Sequence, residues 1–244
     1  MIRFLMVTIV AVPATIWYVS RILWAVYRNA PNQECVCDWV PKKWARVLLR
    51  AAGVRVVLEN AERIDPDVPQ ILVANHSSWV DVLTLAAYTP GRYVFVAKKE
   101  VENILYFGRA VRACGHIFID RQDHQRALQS LAVAKKKLEE ERPTVIMFPE
   151  GTRSETGELQ PFKKGAFVLA LQTGAEIVPT AIVGSRAIMP KHSFRIRSGT
   201  VTVRFGAAIP VAGLDVEDRD QLIRDARAAL AGLLAAPTPP QAMN

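Results

Sequence analysis

Three features of the 244-residue chain predict an α/β fold, with a mixed, largely parallel sheet flanked by helices and a membrane-associated helical segment at the N-terminus. From Val54 onward, short Val- and Ile-rich runs alternate with longer stretches of helical period. Half of the residues are hydrophobic, enough to bury a sizeable core at this length. Ahead of that alternation, Phe4 to Ser20 carries no charge at all.

After Arg21 the apolar character of that first segment resumes through Tyr27. A spanning helix needs about 20 mostly apolar residues. A transmembrane anchor and a helix lying in the membrane interface both fit. Trp17, Tyr18, Trp24 and Tyr27 crowd its C-terminal part as in an interfacial belt, and Arg21 is close enough to that end to snorkel. A cleaved signal peptide lacks an obvious small-residue cleavage site. A buried core helix sits awkwardly at a terminus. Pro13 is a candidate kink.

Asp38 is placed to cap a second helix running to Ala52, with Pro41 in its first turn and Gly53 as its stop. Lys42, Lys43, Arg46 and Arg50 give it a basic face, suited either to anionic lipid or to plain solvent. The strands that follow are expected at 54–58, 70–74, 93–97, 116–119, 144–148, 176–182 and 200–205. The helices are expected at 80–88, 102–113, 123–141 with Asp123 as cap, 164–173 before Gly174, and from 215 or 217 to about 234. The expected organisation is a helical membrane-associated region over 1–53, an α/β domain over 54–236 and a disordered tail over 237–244.

The formal net charge is +8, which suits an anionic membrane surface or phosphate-bearing substrates. The aromatic residues do not interleave with the basic ones, so no nucleic-acid partner is expected. The three cysteines, Cys35, Cys37 and Cys114, are too few for a disulfide framework and lack zinc spacing. Reduced thiols in a cytosol-facing protein and no metal site are the expectation.

Four blocks carry chemistry. Asn75-His76-Ser77-Ser78-Trp79-Val80-Asp81 follows an apolar strand. Its histidine can exchange a proton near neutral pH, and a carboxylate on the other ring nitrogen would fix the tautomer. The same residues also read as a capping box, Ser78-x-x-Asp81, in which Asp81 serves only the helix start. Gly115 to Arg121 ends a strand with Asp120 and Arg121. Phe148-Pro149-Glu150-Gly151-Thr152-Arg153-Ser154 ends another, offering a carboxylate and a guanidinium fork matched to phosphate oxygens. Val178-Pro179 puts a proline in a strand-like run, which marks an edge, a bulge or a strand start.

In order and spacing, these four blocks resemble the glycerolipid acyltransferase family, on the branch of the bacterial 1-acyl-glycerol-3-phosphate acyltransferases, over about residues 55–210. The resemblance implies transfer of an acyl group from a thioester to the free hydroxyl of lysophosphatidic acid, in phospholipid biosynthesis. It makes His76 the base and Asp81 its orienter, with no covalent acyl-enzyme. Arg121, Glu150, Gly151, Thr152 and Arg153 would hold the acceptor's glycerol phosphate, and Lys98 and Lys99 are candidates for added positive potential. The oxyanion donors would be backbone amides near Gly151 or at the helix start after His76. No cofactor is implied, only acyl-coenzyme A or acyl carrier protein as co-substrate. The implied partners are a lipid bilayer and the thioester carrier, at the cytoplasmic face of a bacterial inner membrane. The same chemistry on glycerol-3-phosphate, another lysophospholipid or a lyso-ornithine lipid is the alternative.

Overall fold

In the computed structural model, residues 2–29, 33–120, 123–193 and 195–237 are described. Seven strands form one sheet: β1 (Val54–Glu59), β2 (Gln70–Ala74), β3 (Tyr93–Lys98), β4 (Ile117–Ile119), β5 (Thr144–Met147), β6 (Glu176–Val183) and β7 (Gly199–Phe205). Their order is β1-β7-β6-β2-β5-β3-β4. All neighbours pair in parallel except β6 and β7. The helices are α1 (Ile2–Tyr27), α2 (Gln33–Ala51), α3 (Trp79–Tyr88), α4 (Phe107–Ala113), α5 (His124–Glu141), α6 (Gly165–Thr173), α7 (Ser185–Ile188) and α8 (Arg219–Ala235).

The sheet is covered on both faces, which is why β2 and β5 are buried at every position and read as apolar runs behind a polar first residue, Gln70 and Thr144. One face packs α2 and α3 through Ala45, Leu49, Val80 and Leu85 against Leu72, Ile146 and Val178. The other packs α5, α6 and α8 through Leu138, Phe167 and Ala226 against Ile71, Val145 and Ile177. Pro179 lies inside β6, where the ladder to the next segment slips. Ile177 bridges Ile209, yet Thr180 pairs with Phe205, so three steps on one strand face four on the other. That one-residue mismatch is a bulge, and it accommodates the missing N–H.

Helix α1 continues past Pro13 without a break in its helical assignment. One side of it packs Val19, Ile22 and Ala25 with Val40, Ala110 and Cys114. The other side leaves Leu5, Ile9, Ile16, Trp17, Trp24 and Tyr27 exposed. The helix is long and apolar enough to cross a membrane.

Four expectations need correction. Helix α2 starts at Gln33, so Asp38 lies within it and Pro41 sits in its third turn. Packing of Val40 against α1 extends the helix past the apparent cap. Cys37 and Cys114 are joined in a disulfide, not reduced; their Cα atoms are 5.1 Å apart. Counting cysteines could not reveal that the fold brings the N-terminal hairpin onto α4. The helix expected over 102–113 is confined to α4, after a short 3-10 turn at Lys99–Val101. Gly108 lets α4 begin directly on the Glu102 carbonyl, which a Cβ would overlap. Finally, Arg219, not Asp215 or Glu217, starts α8. The Asp215 and Asp218 carboxylates satisfy the preceding turn instead.

On α2, Lys42 donates to the Gly91 carbonyl and Arg46 to that of Ala87, so half of its basic side is turned onto the protein. Of the expected tail, 238–244 lies outside the described residues.

Candidate active site

β2, β5 and β6 lie side by side with their carboxyl ends together, and the site is built on the turns that leave β2 and β5. In an open α/β sheet this edge is where ligands bind. Past β2, the Asn75 side chain imitates a ladder residue. Its amide donates to the Ile182 carbonyl at 3.0 Å and its oxygen accepts the Ile182 N–H at 2.7 Å. The turn that follows is therefore tied to β6 before it enters α3.

His76 stands on that turn, and its Nδ1 lies 2.9 Å from Asp81 Oδ2. The same carboxylate oxygen accepts the Ser77 and Ser78 N–H groups, each at 2.7 Å. An oxygen that accepts two amides is an acceptor for the ring as well, so the proton belongs on Nδ1. Nε2 has no hydrogen-bond partner among the described residues and is the nitrogen left to accept a proton. Asp81 is fully buried, whereas the His76 side chain keeps 15% of its surface. The Phe148 ring stacks on the imidazole with centroids 4.1 Å apart. Ser78 caps α3, accepting from Val80 N–H and donating to the Met189 carbonyl.

The turn after β5 closes on the first. Glu150 is 4% exposed, and both of its oxygens are engaged. One accepts the His76 N–H at 2.7 Å and the other the Gln160 N–H at 3.0 Å. Burial raises its pKa, the two N–H bonds oppose that rise, and the nearby Asp81 charge adds to it. The Ser154 N–H donates to the His76 carbonyl at 2.7 Å. Gly151 turns the chain at a φ of 71°, in the left-handed region that suits glycine. Thr152 is exposed and Arg153 half-buried. The Arg153 guanidinium sits 5.1 Å from the centroid of the Trp79 ring, and no carboxylate pairs with it among the described residues.

Thus His76, Asp81, Glu150, Gly151, Thr152 and Arg153 occupy two adjoining turns. Arg121 lies outside the described residues. Its neighbour Asp120, at the end of β4, is engaged by Lys99 and Arg126, and Lys98 pairs with Glu100. His116 is a packed strand-end histidine: burial lowers its pKa to about 4 and its Nδ1 accepts the Phe95 N–H. Among the described residues, no three His, Cys, Asp or Glu side chains converge to hold a metal ion.

Sequence reasoning gave no role to Asn75, Trp79, Phe148 or Ser154. All four stand inside the blocks it picked out. Their position beside the charged residues was the available signal, but their contacts run between blocks distant in sequence.

An acyltransferase family model matches residues 55–183. The human 1-acyl-sn-glycerol-3-phosphate acyltransferase alpha is 37% identical over 169 residues, 68% of this chain and 59% of its own length. The 1-acyl-sn-glycerol-3-phosphate acyltransferase of Helicobacter pylori is 38% identical over 136 residues, covering 54% of this chain and 57% of its own. The chain therefore spans somewhat under two thirds of the length of these relatives. The crystal structure of the 1-acyl-sn-glycerophosphate acyltransferase PlsC from Thermotoga maritima superposes with a TM-score of 0.81 at 25% identity, covering 97% of each chain.

Proposed function

The chain belongs to the acyltransferase family, and from that premise we propose that it moves a fatty acyl group from a thioester to the hydroxyl of 1-acyl-glycerol-3-phosphate, forming phosphatidic acid. The observation that carries the reading is the adjacency of a carboxylate-oriented histidine and an arginine that no carboxylate neutralises among the described residues.

A hydroxyl is a poor nucleophile until its proton begins to leave. His76 Nε2 takes that proton as the oxygen bonds to the thioester carbonyl carbon. Asp81 stabilises the imidazolium that forms. The tetrahedral intermediate then collapses, the carbon–sulfur bond breaks, and the thiolate leaves with the proton from His76. The atoms balance without an acyl-enzyme, so Ser77 and Ser78 stay in their structural bonds. Backbone amides of the two adjoining turns stabilise the oxyanion, apart from those that already donate within the protein, among them Ser77, Ser78, Val80 and Gly151. Arg153 and, by family resemblance, Arg121 bind the acceptor phosphate beside Gly151 and Thr152. No cofactor takes part; the donor is a coenzyme A or acyl carrier protein thioester.

The acceptor is an amphiphile, so the site must work at a bilayer, on the cytoplasmic side where both thioesters occur. Helix α1 supplies the contact. It rests along α2 and α4 through Val19, Ile22 and Ala25, and could not cross a bilayer without taking its neighbours in. It lies in the interface with Leu5, Ile9, Ile16 and Trp24 toward lipid.

The test is transfer from labelled acyl-coenzyme A or acyl carrier protein to lysophosphatidic acid in mixed micelles, wild type beside His76→Ala. Phosphatidate formed only by wild type supports the reaction and the base. Product on a different acceptor alone, from a panel with glycerol-3-phosphate and a lyso-ornithine lipid, would replace the acceptor. Undiminished product from His76→Ala would overturn the mechanism.

A further inference from the structure

We infer that Glu150 is a positioning residue that locks the turn carrying the base to the turn carrying Arg153, and that it does not bind the acceptor. The inference rests on His76 as the base. Three observations support it. Glu150 is almost wholly buried, while Thr152 and Arg153 on the same turn reach the surface. Both carboxylate oxygens already accept backbone N–H groups, one from His76 and one from Gln160. Four residues on, Ser154 grips the other side of the same residue, donating to the His76 carbonyl.

The peptide groups flanking His76 are therefore held from both sides by a single loop, and Arg153 rides between the two anchors. The distance between proton acceptor and guanidinium is set by these bonds, not by the long side chains themselves. The bond to Gln160 extends the effect. It closes the loop from Glu150 to Gln160, which ends shortly before the Lys164 cap of α6. Burying a carboxylate is unfavourable unless its oxygens are satisfied, and here the satisfaction is geometric. The His76 and Gln160 N–H groups reach different oxygens of the one carboxylate, and among neutral side chains of this size none offers two acceptor oxygens. Glutamine would turn an NH₂ toward one of the two amides.

The experiment compares Glu150→Gln with wild type and Arg153→Ala in three readouts. The first separates kcat from KM with lysophosphatidic acid and with whichever second acceptor the panel accepts. A positioning role predicts that kcat falls about a hundred-fold for both acceptors, the scale of an ångström-sized misplacement, while KM stays within about three-fold. Arg153→Ala should raise KM instead. The second readout is the Nδ1-bound proton of His76, observed in protein labelled with ¹⁵N-histidine in detergent micelles and assigned by its loss in His76→Gln. It should move or broaden in Glu150→Gln. This readout needs no turnover, so it stands even if the acceptor assignment fails. The third is the thermal midpoint, which identifies a variant that merely unfolds. Should Glu150→Gln not fold, Gln160→Pro removes one of the two N–H donors without touching the carboxylate and serves in its place. A KM raised for one acceptor only, with kcat and the His76 resonance unchanged, would overturn the inference and make Glu150 an acceptor ligand.

Discussion

Asp81 Oδ2 lies 2.9 Å from His76 Nδ1 and in the same position accepts the N–H groups of Ser77 and Ser78. One oxygen both orients the imidazole and closes the capping box of α3. The two readings of this sequence block, dyad and cap, are the same structure. A helix start fixes its carboxylate within the first turn, and the turn before it holds the histidine, so a five-residue spacing suffices.

Asp81→Asn should therefore cost activity and stability together. A carboxamide keeps one acceptor oxygen but cannot hold an imidazolium, so kcat should fall by about a hundred-fold or more. The buried cap contacts are weakened as well, and unfolding free energy should drop by about 1–2 kcal/mol. Ser78→Ala is the control: it removes the cap hydroxyl but leaves the His76–Asp81 bond, so stability should fall by about 1 kcal/mol with kcat retained. Denaturant titration beside initial rates reads both. Equal losses of kcat in the two variants would show that only the helix start matters.

Trp79 presents its ring to the Arg153 guanidinium. Arg153→Ala should raise KM for a phosphate-bearing acceptor by about ten- to a hundred-fold, the range of one charge-assisted contact. Trp79→Ala should give a smaller rise of about three-fold and Trp79→Phe almost none, because either ring supplies a face for the cation. An acceptor without phosphate should be indifferent to all three. Loss on that acceptor too would place Arg153 in the structure of the site instead.

How much of this was legible in sequence depended on range. β2 was expected at 70–74 and is found there, because a strand buried on both faces is an apolar run, here behind Gln70. His76, Asp81, Glu150 and Arg153 could be picked out because each follows a strand end, where an α/β sheet places its chemistry. What the sequence hid is contact between distant segments. Asn75 bonds a residue 107 positions away, and Cys37 one 77 positions away. Asp38 looked like a cap because local capping rules see the polar side chain but not the packing of Val40 on α1, which carries the helix further back.

His116 makes stability depend on pH. Its folded pKa is about 4 against an ordinary 6.5, because burial disfavours the charged ring and the Lys137 charge adds to that. The folded state thus binds its proton more weakly than the unfolded chain. The stabilisation is fully present above 6.5 and is lost as pH falls from 6.5 toward 4. Denaturant midpoints over that window should decline by the equivalent of about 1–3 kcal/mol. His116→Gln, which can still accept the Phe95 N–H, should flatten the decline. An equally steep decline in the variant would assign it to other groups.

The Cys37–Cys114 disulfide ties α2 to the end of α4 across 77 residues. Reduction should leave the sheet core intact but lower unfolding free energy by about 2–4 kcal/mol, because the unfolded chain regains a long loop. Cys114→Ser should behave like the reduced protein and be insensitive to reductant. Thiol titration of the denatured protein should find one free cysteine before reduction and three after it, since the chain has three. Three free thiols at the outset would mean that the bond does not form in the purified protein.

Membrane attachment through the outer face of α1 makes a sharper demand, because exposure and burial alternate along a single helix. Leu5, Ile9 and Trp24 are each more than 60% exposed, whereas Val19 and Ile22 are 4% and 6% exposed against α2 and α4. Ile9→Lys and Trp24→Lys remove apolar surface that the fold itself does not use. Each should weaken binding to anionic vesicles by about ten-fold, and the pair should release the protein with its thermal midpoint unchanged. Val19→Lys buries a charge among Val40, Ala110 and Cys114, and should lower the midpoint before it affects binding. Sedimentation with vesicles at two salt concentrations separates the terms: a loss of binding with salt reports the basic residues, and a loss with Ile9→Lys at constant salt reports the apolar face. Undiminished binding of the double variant would move the membrane contact off α1, and the interfacial orientation of the helix would fall with it.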